Sequence, residues 1–169
     1  MITLPDGTML MAIYGFQIRK PGETVATDRH HSYVYRSTDH GKSWSRLAEI
    51  GDGKQQLNET SLVRLSDGRI RAAIRARATD LWLSESSDNG QTWTQPRPFA
   101  PANIHPADQC LLPDGRALIT MGNRTNPYGV LGVVSDAEWM GATRIVNTVP
   151  TNWGATQNRL DALRTIVDG

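Results

Sequence analysis

The sequence predicts an all-β chain built as part of a β-propeller, with about three blades present. Two turn motifs, repeated in phase, carry that expectation. The first motif reads S-x-D-x-G-x-[S/T]-W. It stands at residues 37–44 (Ser37, Asp39, Gly41, Ser43, Trp44) and returns about 49 residues later at 86–93 (Ser86, Asp88, Gly90, Thr92, Trp93), a period typical of repeat architectures. The second motif is an Asp-Gly turn: Asp6-Gly7, Asp67-Gly68 and Asp114-Gly115. A β-sandwich has no reason to repeat both turns in the same phase.

Each element follows from its turn. In the first motif Asp accepts hydrogen bonds from nearby backbone N–H groups, Gly takes the φ > 0 position, and Ser or Thr begins the return strand. Trp44 and Trp93 are then expected in equivalent, buried positions, as apolar plugs with a polar N–H handle. Asp-Gly between two apolar or alternating runs is a hairpin signal. Such runs flank it at 9–14, 60–65, 70–74 and 117–121. The unit therefore reads strand, Asp-Gly turn, strand, loop, strand, the turn of the first motif (an Asp box), strand, which is the four-stranded content of a blade. Blades are expected at about 1–50, 58–98 and 105–147, with little first strand in the first and no Asp box in the third. Residues 151–169 read either as the eroded start of a fourth blade or as an irregular or helical tail, with Leu160, Leu163 and Val167 on one side.

Composition narrows the classes of function. The 169 residues carry a net charge of +1 with mixed signs, so no electrostatic footprint for nucleic acid or an anionic membrane is expected. No apolar run approaches membrane-spanning length, and the first residues lack the basic and long apolar regions of a signal peptide. The single Cys110 lies beside Leu111 and Leu112 and reads as buried packing. Propellers close with at least four blades, so three leave open edges that invite self-association.

Strand directions place the chemistry. The first strand of the second unit runs from Glu59 down to Asp67-Gly68, and the next returns to Arg75, so both side chains finish at the end opposite the hairpin. The loop joining second and third strands lies at that same end in every unit. It carries Asp28, Arg29, His30 and His31 in the first unit, and Asn123, Arg124, Asn126 and Tyr128 in the third. Asp39 and Asp88 belong to the other end and read as structural. Arginines at one end suit an anionic ligand, because the guanidinium fork binds carboxylate in bidentate fashion. Paired carboxylates suit glycoside chemistry. Taken alone, Glu59–Arg75 reads equally as a simple salt bridge at a hairpin mouth, and Asp28 as a solvated loop residue. His30 and His31 are metal-ligating types without a third ligand at suitable spacing, so no metal is expected.

The Asp boxes, together with the stretch from Asn58-Glu59-Thr60 to Ser66-Asp67-Gly68, resemble those of bacterial sialidases, six-bladed propellers. The resemblance covers roughly residues 1–154 and implies roles for particular residues. Glu59 stands where a glutamate assists a tyrosine nucleophile. Arg75, sixteen positions on, stands where an arginine clamps the carboxylate of sialic acid. Asp28 stands near the place of the general acid, and Arg124 lies in the loop of a further clamp arginine. The implied reaction is exo-cleavage of a terminal sialic acid, or a related acidic sugar, from a glycoconjugate, with no cofactor. Departures accompany the likeness. The first clamp arginine belongs to an Arg-Ile-Pro strand expected before Met1, Arg124 comes earlier than its motif, and Ala155 stands where the tyrosine is expected. The chain is thus expected to be truncated at both ends and impaired as an enzyme. The alternative is a glycan-binding or scaffold propeller without catalysis.

Overall fold

A computed structural model describes residues 1–16, 30–76, 81–100, 103–124, 129–135 and 144–147. Among these residues there are twelve strands in three four-stranded antiparallel sheets, and no helix. The first sheet holds β1 (Ile2–Thr3), β2 (Met9–Phe16), β3 (His30–Ser37) and β4 (Ser45–Ile50), in that order. The second holds β5 (Leu57–Arg64), β6 (Ile70–Ala76), β7 (Leu81–Ser86) and β8 (Arg97–Ala100). The third holds β9 (Ile104–Leu111), β10 (Ala117–Asn123), β11 (Gly129–Ser135) and β12 (Arg144–Asn147). Each sheet is a meander of sequential neighbours, the construction of a propeller blade.

The Asp-Gly turns share one geometry. The Gly7, Gly68 and Gly115 amides each donate to the carbonyl three residues back (Leu4, Leu65 and Leu112) at 3.0 Å. Their φ angles of 85°, 92° and 86° lie in the left-handed region that excludes most side chains. Asp6, Asp67 and Asp114 each accept from the backbone N–H two residues on, at 2.9, 3.0 and 3.1 Å.

The two Asp boxes agree almost atom for atom. Asp39 Oδ1 accepts from Ser43 N at 2.9 Å and Ser37 Oγ at 2.7 Å, and its Oδ2 accepts from Ser43 Oγ at 2.5 Å. Asp88 accepts from Thr92 N at 2.9 Å, Ser86 Oγ at 2.8 Å and Thr92 Oγ1 at 2.5 Å. Hydrogen bonds from the Ser43 and Thr92 hydroxyls, followed by their amides, lower the Asp39 and Asp88 pKa to about 2. The indole nitrogens of Trp44 and Trp93 donate to Gly41 O and Gly90 O, both at 3.0 Å. The tryptophans are thus equivalent, as expected, but half-buried rather than buried. An indole that closes a surface turn through its N–H keeps one edge in solvent.

Packing follows the pleat of β6, where successive side chains serve opposite interfaces. Ile70, Ala72, Ile74 and Ala76 join Leu10, Val34, Ile50, Leu57 and Leu62 between the first and second sheets. Ala73 joins Leu83, Phe99, Ile119, Met121, Leu131 and Val133 between the second and third. Ile70 and Ile74 are fully buried; each contributes roughly 1.5–3 kcal/mol by leaving water. Arg71, also fully buried, pairs through Nε with Glu85 at 3.1 Å, and Glu85 also holds Arg69 at 2.6 Å.

Cys110 corrects the sequence reading, because it is exposed rather than buried. It alternates along β9 with Ala107 and Gln109, which turn toward the second sheet. No helix among the described residues is long and apolar enough to cross a membrane.

Candidate functional site

The end of the sheets opposite the Asp-Gly turns is set by register. Met9 pairs with Ser37 and Ile70 with Ser86, so both Asp boxes lie beside the hairpin turns. Phe16 pairs with His30, Arg75 with Leu81 and Asn123 with Gly129 at the other end. Glu59 and Arg75 belong to that second end, and Asp39 and Asp88 to the first.

A β-bulge brings Glu59 to Arg75. Leu57 pairs with Ala76 and Thr60 with Ile74, so Asn58 and Glu59 together oppose the single residue Arg75. An extra residue of this kind kinks the strand and re-aims its side chains. Arg75 Nη1 donates to Glu59 Oε1 at 3.0 Å and to Oε2 at 3.3 Å. The side chains are 29% and 38% exposed, so the pair is open to a ligand without being fully solvated. Arg75 Nε is buried and has no hydrogen-bond partner among the described residues. One guanidinium nitrogen therefore serves Glu59, while a guanidinium carries five N–H donors.

Asn58, the other residue of the bulge, reaches the first sheet. It is 8% exposed, and its Oδ1 accepts from His30 Nδ1 at 2.8 Å. Thr60 and Ser32 continue this seam through their hydroxyls at 2.7 Å. His31 turns away and pairs with Glu49 at 2.6 Å, stacked on Tyr33. The histidines open β3 rather than occupying the loop expected from sequence, and adjacent strand positions point them apart. No group of three metal-ligating side chains exists among the described residues.

Arg124 follows β10 at the Glu59 end of the third sheet. Its side chain is exposed and its amide donates to Asn103 O at 2.8 Å. Asp28, Tyr128 and Ala155 lie outside the described residues, as do residues 151–169. Sequence reasoning missed the Asn58–His30 bond; its only signal was the resemblance-borne Asn-Glu pair at the strand start. Two depressions, about 310 Å³ beside Ser84, Glu85, Thr94 and Arg97 and about 150 Å³ beside Asp6 and Asn89, lie away from this pair.

The BNR repeat-like domain model matches residues 1–150. The chain belongs to the BNR repeat-like domain family. No curated protein matches its sequence. Among solved structures, a protein of unknown function from Dyadobacter fermentans superimposes with a TM-score of 0.74 at 22% identity, over 88% of this chain and 40% of that one. An alpha-L-arabinanase from Penicillium chrysogenum, complexed with arabinobiose, gives 0.63 at 18% identity, over 90% of this chain and 49% of that one. The Hadza microbial sialidase Hz136 gives 0.57 at 15% identity, over 77% of this chain and 33% of that one. This BNR chain spans less than half the length of each. The architecture is accordingly a partial β-propeller of the six-bladed sialidase type, a fold shared with BNR-type glycoside hydrolases.

Proposed function

We propose that this BNR chain carries part of a sialidase-like glycoside hydrolase site that recognises a terminal sialic acid, or a related acidic sugar, on a glycoconjugate. The Glu59–Arg75 pair carries the reading. Arg75 engages Glu59 through Nη1 alone, and a guanidinium carries five N–H donors, so its terminal edge is the group proposed to meet a second carboxylate, which two parallel N–H···O bonds hold with geometric specificity. Arg124, at the same end of the next sheet, adds positive charge for the same anion. Asp28 is the general acid of the scheme and Glu59 the group that polarises a nucleophile. Alanine has no nucleophilic group, so Ala155 leaves binding stronger than turnover in this chain.

A non-catalytic glycan-binding propeller is the second reading, and Ala155 favours it. Hydrolysis of an aryl α-sialoside by the 169-residue chain, assayed beside its Glu59→Gln variant, separates the two. Slow release of the aryl group that falls further in Glu59→Gln supports the glycosidase. Saturable sialoside binding with no release supports the binding protein. Hydrolysis of an aryl arabinofuranoside without any sialoside binding overturns both.

A further inference from the structure

Exposed aromatic side chains gather at one corner of the first sheet. Tyr14 and Phe16 finish β2 and are 43% and 55% exposed. Leu10 and Ala12, on the same side of β2, pack between the first and second sheets. The pleat puts Tyr14 and Phe16 on that side too, beyond the point where the interface stops. His30 lies across from Phe16 in register, with ring centroids 4.7 Å apart and a tilt of 53°. The Tyr14 ring stands edge-on to His30 at 5.5 Å. The three rings thus form a ledge, pinned to the second sheet by the His30–Asn58 bond.

Chemistry narrows what such a ledge takes. Grouped apolar side chains left in water mark a binding surface. A sugar ring presents an apolar C–H face and a rim of hydroxyls. The faces of Phe16 and Tyr14 suit the first. With His30 Nδ1 engaged by Asn58, its Nε2 is the ring nitrogen left to hydrogen-bond to the second, and the Tyr14 hydroxyl both donates and accepts. Small-ligand sites combine aromatic walls with a few fixed polar groups in this way.

We propose that Tyr14, Phe16 and His30 form a stacking subsite for a neutral sugar ring, the one linked to the acidic sugar that Arg75 holds. The proposal rests on the acidic-sugar reading given above. Asn58 and Glu59 are consecutive, so the ledge and the ion pair meet at the end of β5. The ledge lies on its first-sheet side, while Arg75 projects from the side of β6 that bears Ala73. The separation is on the order of the ~10 Å between packed sheets, and a two-ring ligand laid over the strand end reaches both.

Nuclear magnetic resonance titrations of the whole chain with lactose, N-acetylneuraminic acid and 3′-sialyllactose test this. Lactose should shift the His30 ring signals in the wild type and not in Phe16→Ala. The Kd for 3′-sialyllactose should rise about fivefold to tenfold in Phe16→Ala and Tyr14→Ala, with the affinity for N-acetylneuraminic acid unchanged, and Phe16→Trp should restore it. Both residues are well exposed, so these variants should keep the native circular dichroism. Wild-type affinity of Phe16→Ala for lactose and 3′-sialyllactose, or no movement of His30 with lactose, overturns the ledge. Failure of the acidic-sugar reading looks different: N-acetylneuraminic acid does not bind, yet lactose still moves His30. That outcome supports the ledge and removes its acidic neighbour.

Discussion

Replacing Asp88 by alanine should destabilise the protein by about 2 kcal/mol at pH 7. The side chain accepts three hydrogen bonds, from Thr92 N, Thr92 Oγ1 and Ser86 Oγ. A typical net value near 1 kcal/mol for each gives about 3 kcal/mol, and water reaching this half-exposed turn replaces part of it. Ser86 Oγ itself accepts from the buried Gly90 N–H at 2.8 Å, so its hydroxyl proton loses a partner in the variant. For a domain of this size the loss lowers Tm by about 4–8 °C. The pH dependence provides an internal control. Asp88 titrates at about 2 in the folded chain, below the ordinary range near 4, because Thr92 and Ser86 donate to its charged form. A depressed carboxylate contributes stability above its unfolded pKa and loses it as pH falls through the folded value. The gap between wild type and Asp88→Ala should hold from pH 7 to about 5 and shrink from about 4 toward 2. Urea unfolding followed by tryptophan fluorescence measures it. A gap under about 0.5 kcal/mol at pH 7, or one that widens on acidification, refutes the assignment of the Asp box as a stabilising turn.

Other consequences are as direct. Gly90→Ala places a Cβ 3.1 Å from Leu10 Cδ1 at φ 85°, so the variant should lose about 1–3 kcal/mol, read by the same unfolding assay. Cys110 is exposed in the native fold, so a thiol reagent should label it without denaturant and at close to the rate of the unfolded chain. Trp93→Phe should cost about 1 kcal/mol through the lost bond to Gly90 O, and Trp44→Phe should cost about the same, because the two turns superimpose.

How far the sequence carries depends on whether the signal is local. The Asp-Gly turns and Asp boxes are local: Asp, Gly and hydroxyl positions fix their own hydrogen bonds, and the strands between them follow from alternation. The left-handed conformation of His40 and Asn89, at φ 57° and 58°, is not legible in the sequence, because only their neighbouring glycines advertise it. Cys110, beside Leu111 and Leu112, is exposed because burial depends on which side of β9 finds a partner, and no local signal sets that. His30 and His31 open β3 rather than lie in a loop, a boundary the sequence does not mark, since strand ends carry no strict signal. Glu59 and Arg75 were brought together by counting strand directions, but the bulge that seats them, and the Asn58–His30 bond beside it, depend on inter-sheet packing that no short motif encodes. The apolar run at 9–14 marks Tyr14 as a strand residue, but β2 extends to Phe16, and the exposure of both rings emerges only where the first two sheets part.

The proposed function rests on recognition of a carboxylate by Arg75 at the Glu59 end of the sheets. Calorimetric titration of N-acetylneuraminic acid and of its methyl ester, into wild type and Arg75→Lys, tests it most directly. Wild type should prefer the acid by at least about tenfold, and Arg75→Lys should lose most of this preference, because a lysine keeps the charge without the fork. Equal binding of acid and ester by the wild type, or an unchanged preference in Arg75→Lys, contradicts it.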